Sequence, residues 1–465
     1  MQTVTGLTPE KGNFRSRKSV SSRIHHVAGT NQPSPIETAG EIFSGGTNIE
    51  LIADSENKRL LLLFTEGQTS RVATRIEYRG RAYVPFNLDA RTLRGVRFPH
   101  KVSDYGSTKS LFTAIQDFAA EYGYAEEIAQ LGTYFVFSAW FPDCVPAAPC
   151  LLITGPRPEA CLFLQLLSCL VRHPLQLVDF NAKSLSSLMA IKPTLLICQE
   201  HLSASKLRLL FASTNPDAYV PLEGGLANFY SVMAIYRGIP FHEGSVANTI
   251  LQMNLTPIRR KLPILDSKTQ EEIAGKFQSK LLKYRTRNID KVRESAFDFP
   301  WLTSGARILA RILGACIVDA PELQADLAPF FQRQQQAIRE QNWLDARCVA
   351  IEAGLAYCHS VKRDHRVFVG KFAYDLNTIL KGRGHAGSVE PKEIGNILRS
   401  FGFFPKRGSK GYALRLTDEV RRRIHRLAFE NDIAAVVDAK PRCQHCREIM
   451  KNGIRGKSST PEERE

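Results

Sequence analysis

Between residues 133 and 265, short apolar runs alternate with segments of helical period, and this alternation constrains the fold more than any other feature of the chain. An apolar lead at 134–141 is followed by a strand at 151–153, a helix at 159–172, a strand at 175–179, a helix at 183–191, a strand at 194–198 and a helix at about 203–212. Runs at 230–235 and 249–255 add two more strands. Apolar runs without polar alternation suit strands buried on both faces. Strands separated by helices of this length predict βαβ units and a mostly parallel sheet.

The first of these strands ends in a loop with a telling composition, Leu151-Leu-Ile-Thr-Gly-Pro-Arg-Pro-Glu-Ala-Cys-Leu162. It has the outline of a phosphate-binding loop without the chemistry. In G-x-x-x-x-G-K-[ST] the second glycine lets backbone N–H groups reach phosphate, the lysine reaches the β/γ-phosphates and the hydroxyl holds Mg²⁺. Aligned on Gly155, those places hold Ala160, Cys161 and Leu162. After the strand at 194–198, where an acidic pair would bind Mg²⁺ and polarise water, stand Cys198 and Gln199, with Glu200 one residue late. Both motifs lack the residues that do chemistry, so the expectation is hydrolysis that is absent or very slow. Any nucleotide would sit at Gly155–Cys161, drawn by backbone N–H groups at the helix N-terminus. Arg157, Arg259 and Arg260 are the cations that would replace the missing lysine.

The order of these elements resembles helicase-type, AAA+-like P-loop ATPases of phages, plasmids and integrated elements. The marks are Phe141-Pro-Asp143, Pro149-Cys-Leu-Leu-Ile-Thr-Gly-Pro156, Leu166-Leu-Ser-Cys-Leu170, Pro193-Thr-Leu-Leu-Ile-Cys-Gln-Glu200 and the run into Thr256-Pro-Ile-Arg-Arg-Lys-Leu-Pro263. The resemblance covers about 130 to 265. It implies an α/β P-loop NTPase-like core in which Arg259 and Arg260 match a sensor or finger for the γ-phosphate. The Walker motifs are degenerate, so ATP binding stays open and a competent ATPase is not expected.

Around that core the chain divides by pattern. Residues 1–38 read as a disordered basic tail, rich in Ser, Thr, Asn and Pro. Residues 41–130 read as a small α+β domain, with strands at 49–53, 59–64, 74–78 and 82–85 and a helical pattern from 108 to 130. The α/β domain spans 131–265. A helical domain follows at 266–360, with helices at 269–285, 304–313, 321–340 and 344–359; Lys276, Lys280, Lys283 and Arg285 are read on the polar side of the first. Residues 361–432 form a last compact unit, and 433–465 a flexible tail.

In that last unit, helices at 367–380 and 389–401, a hairpin at 403–416 and a helix at 418–429 resemble a winged-helix domain. Ile394, Ile397, Leu398 and Phe401 are expected inward; Lys392, Asn396, Arg399 and Ser400 outward. A helix entering the major groove needs such donors on one face. Lys392, Asn396 and Arg399 are therefore assigned to bases, while Lys406, Arg407, Lys410 and Arg415 suit phosphate. From 390 to 430 there are ten Lys/Arg against five Asp/Glu, and the whole chain carries a net charge of +16. Such a surplus points to a polyanion, and DNA is the partner expected.

Cys443-Gln-His-Cys446 offers half a zinc site, with His445 or His425 as further ligands, but no second CxxC or spaced His pair follows. The expectation is a free-thiol tail and no metal. The ten cysteines are scattered, as reduced packed thiols are. No apolar run spans a bilayer and 1–30 lacks a secretory apolar core, so a cytoplasmic protein is expected. The function expected is a DNA-binding scaffold or nucleotide-responsive factor in mobile-element or phage DNA transactions, with DNA and a second copy of the chain as partners; an ATP-dependent helicase or translocase and a ligand-sensing transcription regulator are the alternatives.

Overall fold

The computed structural model describes residues 34–54, 59–222, 225–238, 250–302, 304–360, 366–409, 411–431, 433 and 443–448. Most of the expected basic tail, Lys410 and most of the C-terminal tail therefore lie outside the described residues.

The chain opens with seven short strands: β1 (Ile36–Thr38), β2 (Gly40–Ile42), β3 (Asn48–Asp54), β4 (Arg59–Glu66), β5 (Thr69–Ala73), β6 (Ile76–Tyr78) and β7 (Arg81–Pro85). They form two sheets, β2-β3-β4-β5 and β1-β7-β6. Three helices follow: α1 (Ala90–Gly95), α2 (Thr108–Glu121) and α3 (Glu126–Ala139). The helical pattern read from 108 to 130 is thus two helices, broken at Gly123, whose φ of +93° ends α2. The apolar lead at 134–141 is the buried end of α3 and the turn after it.

The alternating region contains β8 (Cys150–Thr154), α4 (Arg157–Leu170), β9 (Pro174–Leu177), α5 (Ala182–Ser186), β10 (Thr194–Cys198), α6 (Ala204–Ala212), β11 (Tyr219–Leu222), β12 (Gly225–Asn228), β13 (Val232–Tyr236) and β14 (Leu251–Asn254). Five of these strands make one sheet in the order β14-β8-β13-β10-β9, every pair parallel. The short hairpin β11–β12 was not read from the sequence. Alternate residues of each strand enter different cores. Leu151, Ile153, Leu196, Ala234 and Met253 pack with α2, α3, α4 and the long helix α7 (Ser267–Arg293). Leu152, Leu195, Ile197, Met233 and Ile235 pack with Ile49, Leu51, Leu62 and Phe64 of the N-terminal hairpin and with Leu207 and Leu210 of α6. Both faces are covered, which explains the uninterrupted apolar runs. The N-terminal strands share these cores instead of enclosing one of their own.

A buried ion network ties these layers together. Arg285 of α7 donates to Glu50 Oε1 at 2.7 Å and forks onto both Asp143 oxygens at 2.8 and 2.7 Å. Arg172 donates to Glu50 Oε2 at 2.9 Å from the other side. Arg285 is completely buried, which corrects its placement on the polar side of its helix. Burial alone would raise the Asp143 carboxyl, but Arg285 and Arg172 hold it well below the usual carboxylate range.

Further helices α8 (Ser304–Ala315), α9 (Pro321–Ala325) and α10 (Leu327–Asn342) complete the helical layer. The C-terminal unit runs α11 (Ala346–Ser360), β15 (Arg366–Phe368), α12 (Val369–Gly382), α13 (Pro391–Ser400), β16 (Lys406–Gly408), β17 (Gly411–Arg415) and α14 (Asp418–Glu430). Its antiparallel sheet is ordered β15-β17-β16. A third core joins Val349, Ile351 and Leu355 of α11 to Phe372, Leu376, Ile394, Leu398, Leu414 and Ile424. The sequence boundary at 361 assigned α11 to the helical region; its buried residues belong to this last core.

Candidate functional site

The loop after β8 lies at the carboxyl ends of the parallel strands. Its neighbour β13 leads onward in the opposite direction, to β14. Ligands of open α/β sheets bind at such a switch point. Here, however, the connection from β8 to α4 is only Gly155 and Pro156, and α4 begins at Arg157. Ala160 and Cys161, assigned to a phosphate-cradling loop, are already in the helix. The segment that would wrap a phosphate has been drawn into the first turn, where Pro158 is tolerated because the first-turn N–H groups have no helical partner. Gly155 itself is required: its φ is +112°, and a Cβ would collide with the Leu255 carbonyl.

Groups of the chain itself fill the rest of the switch point. Glu159, buried in the first turn of α4, accepts from the Ile258 N–H at 3.0 Å, so a carboxylate already complements the helix N-terminus. Arg157 pairs with Glu200 at 3.7 Å. Tyr236 Oη donates to the Gly155 carbonyl at 3.2 Å. The thiols of Cys161 and Cys198 lie 2.9 Å apart, where lysine and the metal-binding aspartate would stand in an intact site. Burial, with the Cys161 thiol beside it, pushes Cys198 up to about 12. Arg260 donates to the Glu121 carbonyl at the end of α2, and Arg259 is exposed. The seven residues assigned to nucleotide thus divide: Gly155, Arg157, Ala160, Cys161 and Glu200 are brought to the switch point, Arg260 is tied to α2, and Arg259 is exposed.

The C-terminal unit presents a different chemistry. On α13, Ile394 and Leu398 are buried and Ile397 half-buried, while Lys392, Asn396, Arg399 and Ser400 are exposed. The helix starts with Pro391, and Glu393 in its first turn suits the positive end of the helix. Beside its C-terminal end, a cleft of about 890 Å³ is lined by Arg366, Lys406, Arg407, Arg415 and Arg423, with Glu419 the acidic residue among its lining. Phe404 and Tyr412 stand 72% and 56% exposed on the same hairpin, an uncommon degree of exposure for aromatic side chains. Arg366 and Arg423 were not assigned from the sequence. Arg366 closes the short basic run Lys362-Arg-Asp-His-Arg366, which by itself names no surface, and the pairing of β15 with β17 brings it to the cleft. Arg421, in the same run of arginines, is buried and donates to the Leu416 and Cys358 carbonyls, so it is part of the core.

A further cluster lies between α11 and α14. His359, His425, Cys443 and Cys446 bring one ligand atom each to within 4.8 Å of one another. The sequence pairs Cys443 and Cys446 and names His425, but not His359, which lies 87 residues before Cys446.

No protein-family model matches the chain, and no curated protein matches it. Among solved structures, the chain is similar to the A-form apo structure of the NrS-1 C-terminal region, at 11% identity over 79% of this chain and 96% of that one, with a TM-score of 0.31. A second structure, of the same region described as residues 305–718, gives 11% identity over the same shares with a TM-score of 0.29. Among the described residues no helix is long and apolar enough to cross a membrane.

Proposed function

We propose that this chain is a DNA-binding protein in which residues 346–433 act as a winged helix and the α/β unit as a P-loop-like, AAA+-like scaffold that does not hydrolyse ATP. The observation that carries the reading is the five-cation cleft beside the exposed polar face of α13. The helix, strand, helix, helix, hairpin order and the three-stranded sheet β15-β17-β16 support the winged-helix assignment. In this reading Lys392, Asn396 and Arg399 approach base edges, and Lys406, Arg407, Lys410 and Arg415, joined by Arg366 and Arg423, hold phosphates.

The absence of turnover rests on the occupied switch point. A nucleotide would have to displace the Glu159 carboxylate from the α4 N-terminus and separate Arg157 from Glu200, with no lysine to receive its phosphates. A helicase with a substitute cation is less well supported, because Arg260 is engaged at α2. The reading places the protein in phage or mobile-element DNA transactions as an assembly factor.

The test is anisotropy of labelled duplex DNA with the full chain across a salt series, beside ATP hydrolysis with and without DNA. Steeply salt-dependent binding without hydrolysis is expected. Absence of binding would refute the DNA reading, salt-independent binding would refute the phosphate contacts of the cleft, and hydrolysis that Arg157→Ala abolishes would restore the helicase.

A further inference from the structure

The geometry points to a structural zinc site, formed by His359, His425, Cys443 and Cys446, that fastens the C-terminal segment across α11 and α14. His425 Nε2 lies 3.2 Å from His359 Nε2 and 3.2 Å from Cys443 Sγ, and Cys446 Sγ lies 3.3 Å from His359 Nε2. With Zn–N of about 2.0 Å and Zn–S of about 2.3 Å, a tetrahedron has N–N edges of about 3.3 Å and N–S edges of about 3.5 Å. These three edges are within a few tenths of an ångström of those figures, and all four ligand atoms lie within 4.8 Å of one another.

The hydrogen bonding of His425 supports the same conclusion. Its Nδ1–H donates to the Arg421 carbonyl at 2.7 Å, so Nε2 carries a lone pair. Such a bond to the second nitrogen is what fixes the tautomer of a metal-binding histidine. One lone pair accepts one proton, yet both His359 Nε2 and Cys443 Sγ converge on it; a cation at the centre satisfies all four groups.

Two thiolates and two imidazoles select zinc over magnesium or calcium, which take oxygen. Four protein ligands leave no open position, so the ion is structural and not catalytic. On binding, the Cys443 and Cys446 thiols release their protons to solvent and their sulfur lone pairs form the Zn–S bonds. His445, the alternative ligand in the motif, is directed elsewhere, 3.6 Å from Glu448. The site holds the 443–448 segment against the last core, independently of whether the unit binds DNA.

The experiment is elemental analysis of the untagged full chain, with the metal also titrated by a mercurial that displaces thiolates. About one zinc per chain is expected, falling to below about a tenth in Cys446→Ser and His359→Ala and unchanged in Cys161→Ser, whose thiol lies at the switch point. Cys443→His keeps four donors and should retain the ion. Cobalt substitution of the wild-type chain, which needs no variant to fold, should give thiolate charge-transfer absorption and the intense visible bands of a four-coordinate ion. Iron in place of zinc, a metal content unaffected by Cys446→Ser, or octahedral cobalt bands would each overturn the assignment.

Discussion

Replacing Lys406 and Arg407 by alanine should weaken DNA binding by an amount that can be worked out from the cleft. Five cations line it: Arg366, Lys406, Arg407, Arg415 and Arg423. If these five alone neutralise one phosphate each, log K should fall with log[salt] at a slope of about −4.5, which Lys410 would steepen by about 0.9, and affinity should drop roughly 500-fold between 50 and 200 mM salt. Removing two contacts should reduce the slope to about −2.7 and cost about 60-fold in affinity at 0.1 M salt. Both side chains are exposed, and β16 pairs with β17 through its backbone, so the fold should be unaffected. The assay is duplex anisotropy for both proteins at several salt concentrations, with thermal unfolding as the control for folding. A variant that loses affinity while keeping the full slope would refute the phosphate assignment, because a lost ion pair must take its counterion release with it. A wild-type slope shallower than about −2 would remove the cleft from the interface altogether.

Three further outcomes are expected. Arg285→Met leaves buried Glu50 with Arg172 alone and half-buried Asp143 without its cation, and should cost about 3–5 kcal/mol in urea unfolding at pH 7. Because Asp143 is held below its ordinary 3.8, the wild-type network is intact at neutral pH and is lost only as pH falls below that value; burial raises the same carboxyl in the variant, so the penalty should shrink towards pH 4, and a pH-independent penalty would sink the assignment. Gly155→Ala, at a φ of +112° and against the Leu255 carbonyl, should destabilise the chain by at least about 2 kcal/mol, whereas Gly382→Ala, in helix and clear of neighbours, should be neutral or stabilising; equal effects in thermal unfolding would contradict the close approach of loop and β14. Cys198, pushed up to about 12, should alkylate slowly with iodoacetamide at pH 8 and faster as pH rises; rapid labelling at pH 7 in peptide mass mapping would show that the thiol is neither buried nor paired as described.

What could be read in advance follows physical lines. The strands 151–153 and 194–198 were legible because burial on both faces leaves an apolar run that needs no tertiary information to recognise. The outward and inward sides of α13 were legible because 3.6-residue spacing separates Ile394 and Leu398 from Lys392, Asn396 and Arg399. The start of α4 was misplaced by two residues although a signal existed: Pro158 in the first turn favours a helix beginning at Arg157. Arg285 could not be placed, because its type favours the surface and only Glu50, 235 residues away, and Asp143 make its burial tolerable. The period of α11 announced a helix, but period does not name what a helix packs against, and the chain folds it into the last core. His359 was invisible for the same reason: a ligand set assembled from two helices and a short terminal segment leaves no spacing to recognise.

Whether the switch point awaits a ligand can be judged from its buried polar groups. A ligand site awaiting occupancy leaves buried donors or charges without partners, since the ligand supplies them. Here four groups of the switch point have partners within the chain, while Gln199 Oε1, beside Cys198, is buried without one. Glu159 takes the Ile258 N–H, Arg157 takes Glu200, Tyr236 takes the Gly155 carbonyl and Cys161 meets Cys198. The Arg157–Glu200 pair is exposed and contributes little, but Glu159 is buried, and expelling it would leave a carboxylate without its hydrogen bond. Restoring lysine at position 161 would therefore not by itself restore nucleotide binding: the new ammonium would meet Glu159 and Glu200 before any phosphate. The double variant Cys161→Lys with Glu159→Gln tests this. If the occupied site is what excludes nucleotide, only the double variant should gain measurable ATP affinity by calorimetry, and a gain in Cys161→Lys alone would mean that the missing cation, not the filled helix terminus, is the barrier.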